Sequence, residues 1–165
     1  MSLFFSIDPS ELDKLQDYLE RIKSSINLSD PKVRQDLKER LQAVMFEDLK
    51  LRFASSPSTQ VGGIVYGGQE WSSLSEYYLA NNPNRQSGQV YIDTHDLINS
   101  LVSMTSNTVA EFEETSSKGA DFVFGTKLKY AEKLQQSRPI VFMHPQLLEK
   151  IVKEYEESII NNSEK

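Results

Sequence analysis

The chain contains no cysteine among its 165 residues. That removes a disulfide framework, a thiolate zinc site and a thiol nucleophile together, and it fits a reducing compartment. No apolar run approaches the roughly 20 residues that would cross a bilayer. The opening Met1-Ser2-Leu3-Phe4-Phe5-Ser6-Ile7 lacks a basic segment and a small-residue cleavage site, so it does not read as a signal peptide. A membrane partner is therefore not expected, and the protein is expected to stay in the cytoplasm of the cell that makes it. Basic clusters are missing as well. Formal net charge is −6, and residues 1–54 carry nine Lys/Arg against ten Asp/Glu, the remainder nine against fourteen. A tight nucleic-acid footprint needs clustered cations, so none is expected. Histidine is scarce too. His95 and His144 stand far apart, with no His-x-x-x-His spacing to nominate a metal.

What remains is the composition of one soluble domain, with 38% hydrophobic and 25% charged residues. Asp8-Pro9-Ser10-Glu11 is a helix start: an acceptor at the cap, proline at the first position and a capping-box glutamate, with Ile7 as a staple. Leu12, Leu15, Leu19, Ile22 and Ile26 then form a stripe on a helix over 9–26. Asp30-Pro31 repeats the signal. Val33, Leu37, Leu41, Val44, Met45 and Leu49 carry a second helix over 31–53, which ends at Ser55-Ser56-Pro57. Residues 1–54 thus form a helical hairpin or arm.

Residues 55–90 read as long loops around a short helix. Gly62-Gly63 and Gly67-Gly68 flank Ile64-Val65-Tyr66, as in a loop or small hairpin. A phosphate cradle would need a preceding strand, a following helix and usually a lysine. Trp71, Leu74, Tyr77 and Tyr78 read as a short helix with an aromatic face, the sole tryptophan serving as a core anchor. Asn81 to Gln89 forms a second exposed loop. Asp93 or Thr94 caps a short helical turn over 95–100. From Leu101 to Gly125 the period becomes two. It predicts strands at 101–106, 108–114 and 120–125, with Thr115 to Gly119 as a turn. A short helix over 127–136 follows, then a fourth extended segment, Ile140 to Met143. A last helix from Pro145 carries Leu148, Ile151, Val152, Tyr155 and Ile159 on one face. The expectation is one α+β domain: about four antiparallel strands over 91–143, packed by helices, with 144–165 the C-terminal helix.

Several short motifs follow one another along the chain: Arg52-Phe53; Trp71-x-x-Leu74-Ser75; Thr94-x-x-Leu97-x-x-Ser100; Gly125-Thr126; Tyr130-Ala131; Gln135; and Arg138-Pro139. In this order they resemble the virion-morphogenesis family of tailed bacteriophages, the tail-completion and head–tail joining proteins. The likeness spans roughly residues 33–143. Three positions depart from it. His95 stands where that family usually has glycine, Gln135-Gln136 where His-Gln is common, and Ser137 where glycine often precedes the arginine. Glycine in such places usually serves an unusual backbone angle, so the turns at 95 and 137 are expected to be built differently.

The resemblance implies a structural subunit with no catalytic centre and no cofactor. It implies a homo-oligomeric ring, six subunits the expected number, at the virion neck or tail top. Its partners would be the connector or adaptor and the tail proteins, and genome DNA would pass through the lumen without specific binding. A tail-terminator ring is the alternative within that class. Glu111, Glu113 and Glu114 are candidates for the lumen wall, with ordinary solvation as the competing explanation. Arg138 is a candidate to hold a carboxylate bidentately, within or between subunits. Outside the class stand a metal-dependent hydrolase using His95, Asp96 and His144, and a cytoplasmic regulator dimerising through the 9–26 stripe.

Overall fold

A computed structural model describes residues 10, 13–19, 28, 30–92, 95–114 and 120–163. The elements in order are α1 (Pro31–Ala54), β1 (Gly62–Ile64), β2 (Glu70–Ser72), α2 (Glu76–Asn81), a 3-10 turn (Pro83–Arg85), α3 (Asp96–Val102), β3 (Thr108–Glu114), β4 (Ala120–Thr126), α4 (Ala131–Ser137) and α5 (Pro145–Ser163). Residues 13–19 are also helical, with Leu15 and Leu19 half-buried. Leu12, Ile22 and Ile26 of the expected stripe, the Asp8-Pro9 start with Ile7, and the 115–119 turn lie outside the described residues.

The class is α+β, but the sheet is not the expected one. Two separate two-stranded antiparallel sheets form, β1 with β2 and β3 with β4. The expected strand at 101–106 is absent because α3 continues through Val102. Leu97, Ser100 and Leu101 bury one helical face. The chain then turns on threonines: Thr108 Oγ1 accepts from the Thr105 amide at 2.9 Å and donates to the Ser103 carbonyl at 2.8 Å. Trp71 belongs to a strand rather than to a short aromatic helix. The short helix after Gly125 begins at Ala131, later than expected.

The chain divides into two compact units, neither continuous in sequence. The first holds residues up to Met45, Ala110–Phe124 and Met143 onward. Asp30 caps α1, its carboxylate accepting from the Lys32 amide at 2.8 Å, and Pro31 opens the helix. Val33, Leu37, Leu41, Val44 and Met45 are buried there, as are Leu147, Leu148, Ile151, Val152 and Tyr155 of α5. Arg40 ties the two helices by ion pairs to Glu154 and Glu157, both 3.2 Å, with Asp36 at 2.9 Å on its own helix. Burial alone would lower the Arg40 pKa, but Asp36 and Glu154 outweigh it, so it rises. Along β3, Ala110 is buried and Glu111 and Glu113 are exposed, the alternation expected of a strand.

The second unit comprises Phe46–Val109 and Gly125–Phe142. Leu49, Phe53, Val65, Trp71, Val90, Leu97, Leu101 and Ile140 form its core. Its small sheet pairs Gly62 with Ser72, Gly63 with Trp71 and Ile64 with Glu70. Gly62 is required for this hairpin: φ is +72°, and a Cβ there would meet Ser73 N at 2.6 Å and Trp71 O at 2.7 Å.

Candidate functional site

The site described here lies wholly within the second unit. It begins with an irregular strip, residues 138–142, where the fourth strand was expected. This backbone has no ladder partner, and buried carbonyls left unpaired are costly. Side chains take the place of a ladder. The Arg138 carbonyl accepts from Tyr91 Oη at 2.9 Å, and the Pro139 carbonyl from Trp71 Nε1 at 2.8 Å. Arg52 donates to the Ile140 carbonyl and, at 3.4 Å, to that of Phe142. Gln135 Nε2 donates to the Val141 carbonyl, while its Oε1 accepts from the Ile140 and Val141 amides at 2.8 and 3.0 Å. Each carbonyl from 138 to 142 is thus held by a side chain, which is why no strand pairing is needed.

The anchors are themselves fixed. Arg52 is buried, is ion-paired to the equally buried Asp48 one helical turn before it, and has its guanidinium carbon 3.7 Å from the Phe142 ring centre. Burial pushes the Arg52 pKa down, and Asp48 opposes that shift. Trp71 is fully buried, with the Tyr91 ring edge-on at 4.8 Å and the Phe53 ring tilted at 6.0 Å. Among the described residues of this subunit, the Arg138 fork meets carbonyls rather than a carboxylate. Its Nε and Nη2 donate to the Ser72 and Ser73 carbonyls at 2.8 and 2.6 Å, so the fork seats the strip against β2.

Beside this strip opens a cleft of about 640 Å³. Leu74, Leu97 and Leu134 supply apolar wall, and Tyr78, Tyr91 and Tyr130 supply aromatic wall. Arg85 and Arg138 bring two cations to it, and His95 and Asp96 also line it. Two lining residues hold left-handed backbone without being glycine: Tyr91 at φ 66° and His95 at φ 64°. Tyr91 is held there by its hydroxyl, which also reaches the Leu134 carbonyl at 3.0 Å. Burial raises its phenol pKa, and Arg138 partly opposes the rise. His95 is the N-cap of α3 and makes no side-chain cap bond. Asp93 and Thr94, the expected caps, lie outside the described residues. Ser137 ends α4 without a positive φ.

The arrangement can bind an apolar group that carries a carboxylate, since its walls are aromatic and aliphatic and its charges include two guanidinium groups. The Ser75 hydroxyl caps α2, accepting from the Tyr78 amide at 3.2 Å. Among the described residues no three His, Asp or Glu side chains gather as a metal site. His144 is buried at the start of α5, its Nδ1 2.9 Å from Gln146 Oε1.

Of the residues singled out from sequence, Phe53, Trp71, Gln135 and Arg138 meet around the strip. Leu74, Ser75, Leu97, Tyr130 and Arg138 line the cleft. Ser100 is buried and bonds the Leu97 carbonyl at 2.8 Å, Ala131 opens α4, and Gly125 lies in β4 with open space where a Cβ would stand. Glu111 and Glu113 are exposed on β3, in the other unit; the Glu114 side chain and Thr94 lie outside the described set. Sequence reasoning missed Asp48 and Tyr91. The four-residue spacing of Asp48 and Arg52 on one apolar stripe was the available signal for the first. Compared with protein-family models, with curated proteins and with solved structures, the chain matches none. No helix among the described residues is long and apolar enough to cross a membrane.

Proposed function

We propose that the protein is a structural ring subunit of a tailed-phage neck, completing the tail and joining it to the head connector. One observation carries this reading. Arg52, Phe53, Trp71, Gln135 and Arg138, scattered along the motif series, all serve to hold one backbone strip. A motif series with such a scaffolding purpose supports the reading of a structural subunit. The left-handed backbone of His95 adds support, since it falls where the resembled family usually carries glycine. An acidic chain, with Glu111 and Glu113 exposed on one strand face, also suits a conduit through which DNA must slide rather than stick.

The test is removal of the gene from the virus that encodes it. Filled heads and normal but unjoined tails are the expected result. Overlong tails would instead assign a tail terminator, and normal infectious particles would overturn the proposal. Imaging of the assembled neck should show a closed ring of this chain, six copies expected; one or two copies would refute it.

A further inference from the structure

A ring requires two different patches on each subunit, one fitting the other on the next copy. The second unit carries one concave patch, the cleft, and one convex patch of matching chemistry. The convex patch is the β1–β2 hairpin. Val61, at a turn, is 81% exposed and Ile64, in β1, is 67% exposed. Ile64 is paired directly with Glu70, so the two side chains stand on the same face of the hairpin. Glu70 is exposed as well. The inward face is occupied differently: Trp71, paired with Gly63, is fully buried. The outward face of the hairpin therefore presents the Ile64 side chain with the Glu70 carboxylate beside it, and Val61 is exposed at the turn just before β1.

The cleft presents the complement. Leucine and tyrosine walls fit the isoleucine, and Arg85 and Arg138, two guanidinium groups against the one carboxylate of Asp96 in the lining, fit Glu70. Both guanidinium groups are positioned by backbone carbonyls, Arg85 by those of Ile92 and Gln89 and Arg138 by those of Ser72 and Ser73. They are thus pre-ordered before any partner arrives, which lowers the entropy lost on binding. Tyr78 and Tyr130, 42% and 46% exposed, are the residue type enriched at such contacts.

We propose that the β1–β2 hairpin of one copy seats Ile64 in the cleft of the next, with Glu70 against the Arg85 and Arg138 side. This deepens the ring reading above and rests on it.

The cysteine-free chain makes a clean test. Full-length Ile64→Cys and Tyr130→Cys variants are mixed at high concentration and oxidised. A disulfide-linked heterodimer is expected from the mixture, and neither variant alone should yield as much linked product. Met104→Cys, an exposed position outside the cleft, replaces Ile64→Cys as the control and should not link to Tyr130→Cys. The double variant Ile64→Cys/Tyr130→Cys should give a ladder ending in one closed species. Separately, Ile64→Lys should abolish oligomers while leaving the thermal melt unchanged. Failure of Ile64→Cys and Tyr130→Cys to link, with native mass spectrometry still showing a ring, overturns the hairpin–cleft contact and leaves the ring reading standing. Efficient linking that stops at a closed dimer supports the contact and overturns the ring. Absence of both linking and oligomers overturns both.

Discussion

Replacing Trp71 by alanine separates a core role from an interface role. The side chain is fully buried, and removal of a buried large aromatic costs about 3–5 kcal/mol. The indole also donates to the Pro139 carbonyl, and an orphaned buried acceptor costs about 1–3 kcal/mol. These terms overlap, so Trp71→Ala should lose about 4–5 kcal/mol. That is a large share of the roughly 5–15 kcal/mol that holds a domain folded. Trp71→Phe keeps a ring against Phe53 and Tyr91 but not the N–H, and should lose roughly half as much. Urea denaturation followed by far-UV circular dichroism measures both. Trp71 is the only tryptophan, so its own fluorescence provides a second probe of the unmodified chain. Equal stability of Trp71→Ala and the parent chain would refute this account of the strip. Failed assembly alongside that equal stability would move Trp71 to an interface.

Three further outcomes follow from the same geometry. The Tyr91 phenol titrates higher in the folded chain than its ordinary value of about 10. Its contribution is therefore intact below that pH and lost as pH rises through the folded value, because the unfolded chain gives up the proton first. Tyr91→Phe should lose about 1 kcal/mol near neutrality and flatten the alkaline fall in pH-dependent melts; an unchanged alkaline slope would contradict the assignment. Gln135→Leu orphans the Ile140 and Val141 amides and should cost about 2 kcal/mol or more in the same denaturation assay, whereas Gln135→Glu, which keeps the acceptor, should be milder. His95→Gly relieves a left-handed residue, worth about 1–2 kcal/mol, against about 0.5–1 kcal/mol of added chain entropy; the melting temperature should hold or rise, and a clear drop would refute the reasoning.

The helices were legible because their signals are local. Asp30-Pro31 fixes the start of α1, and Ser55-Ser56-Pro57 lies just past its end at Ala54, as read from sequence. The apolar spacing of α5 likewise marks its buried face. The sheet was misread for an equally physical reason. Ile140 to Met143 has the composition of a buried strand, and sequence alone does not reveal that Trp71, Arg52 and Gln135 would satisfy its backbone. The alternation near 101–106 competed with the helical face of Leu97 and Leu101, and the helix won. The motif residues could be named in advance, but their convergence depends on contacts between distant segments. Arg138 shows the limit: its bidentate geometry was foreseeable, its carbonyl partners were not.

The strip at 138–142 also sets a clock. Arg52 is separated by 88 residues from Ile140, and Trp71 by 68 from Pro139. During synthesis at about 5–20 residues per second, Arg52 therefore waits roughly 4–18 s for its acceptor to leave the ribosome. Through that interval the Asp48–Arg52 pair and the Trp71 indole must remain hydrated or held by a chaperone. The hairpin bearing Val61 and Ile64 emerges early and stays exposed for much of the same time. Contacts of such long sequence separation fold slowly. The second unit should accordingly mature only after release of nearly the whole chain, so truncations before Phe142 should yield aggregation-prone product rather than a smaller folded domain.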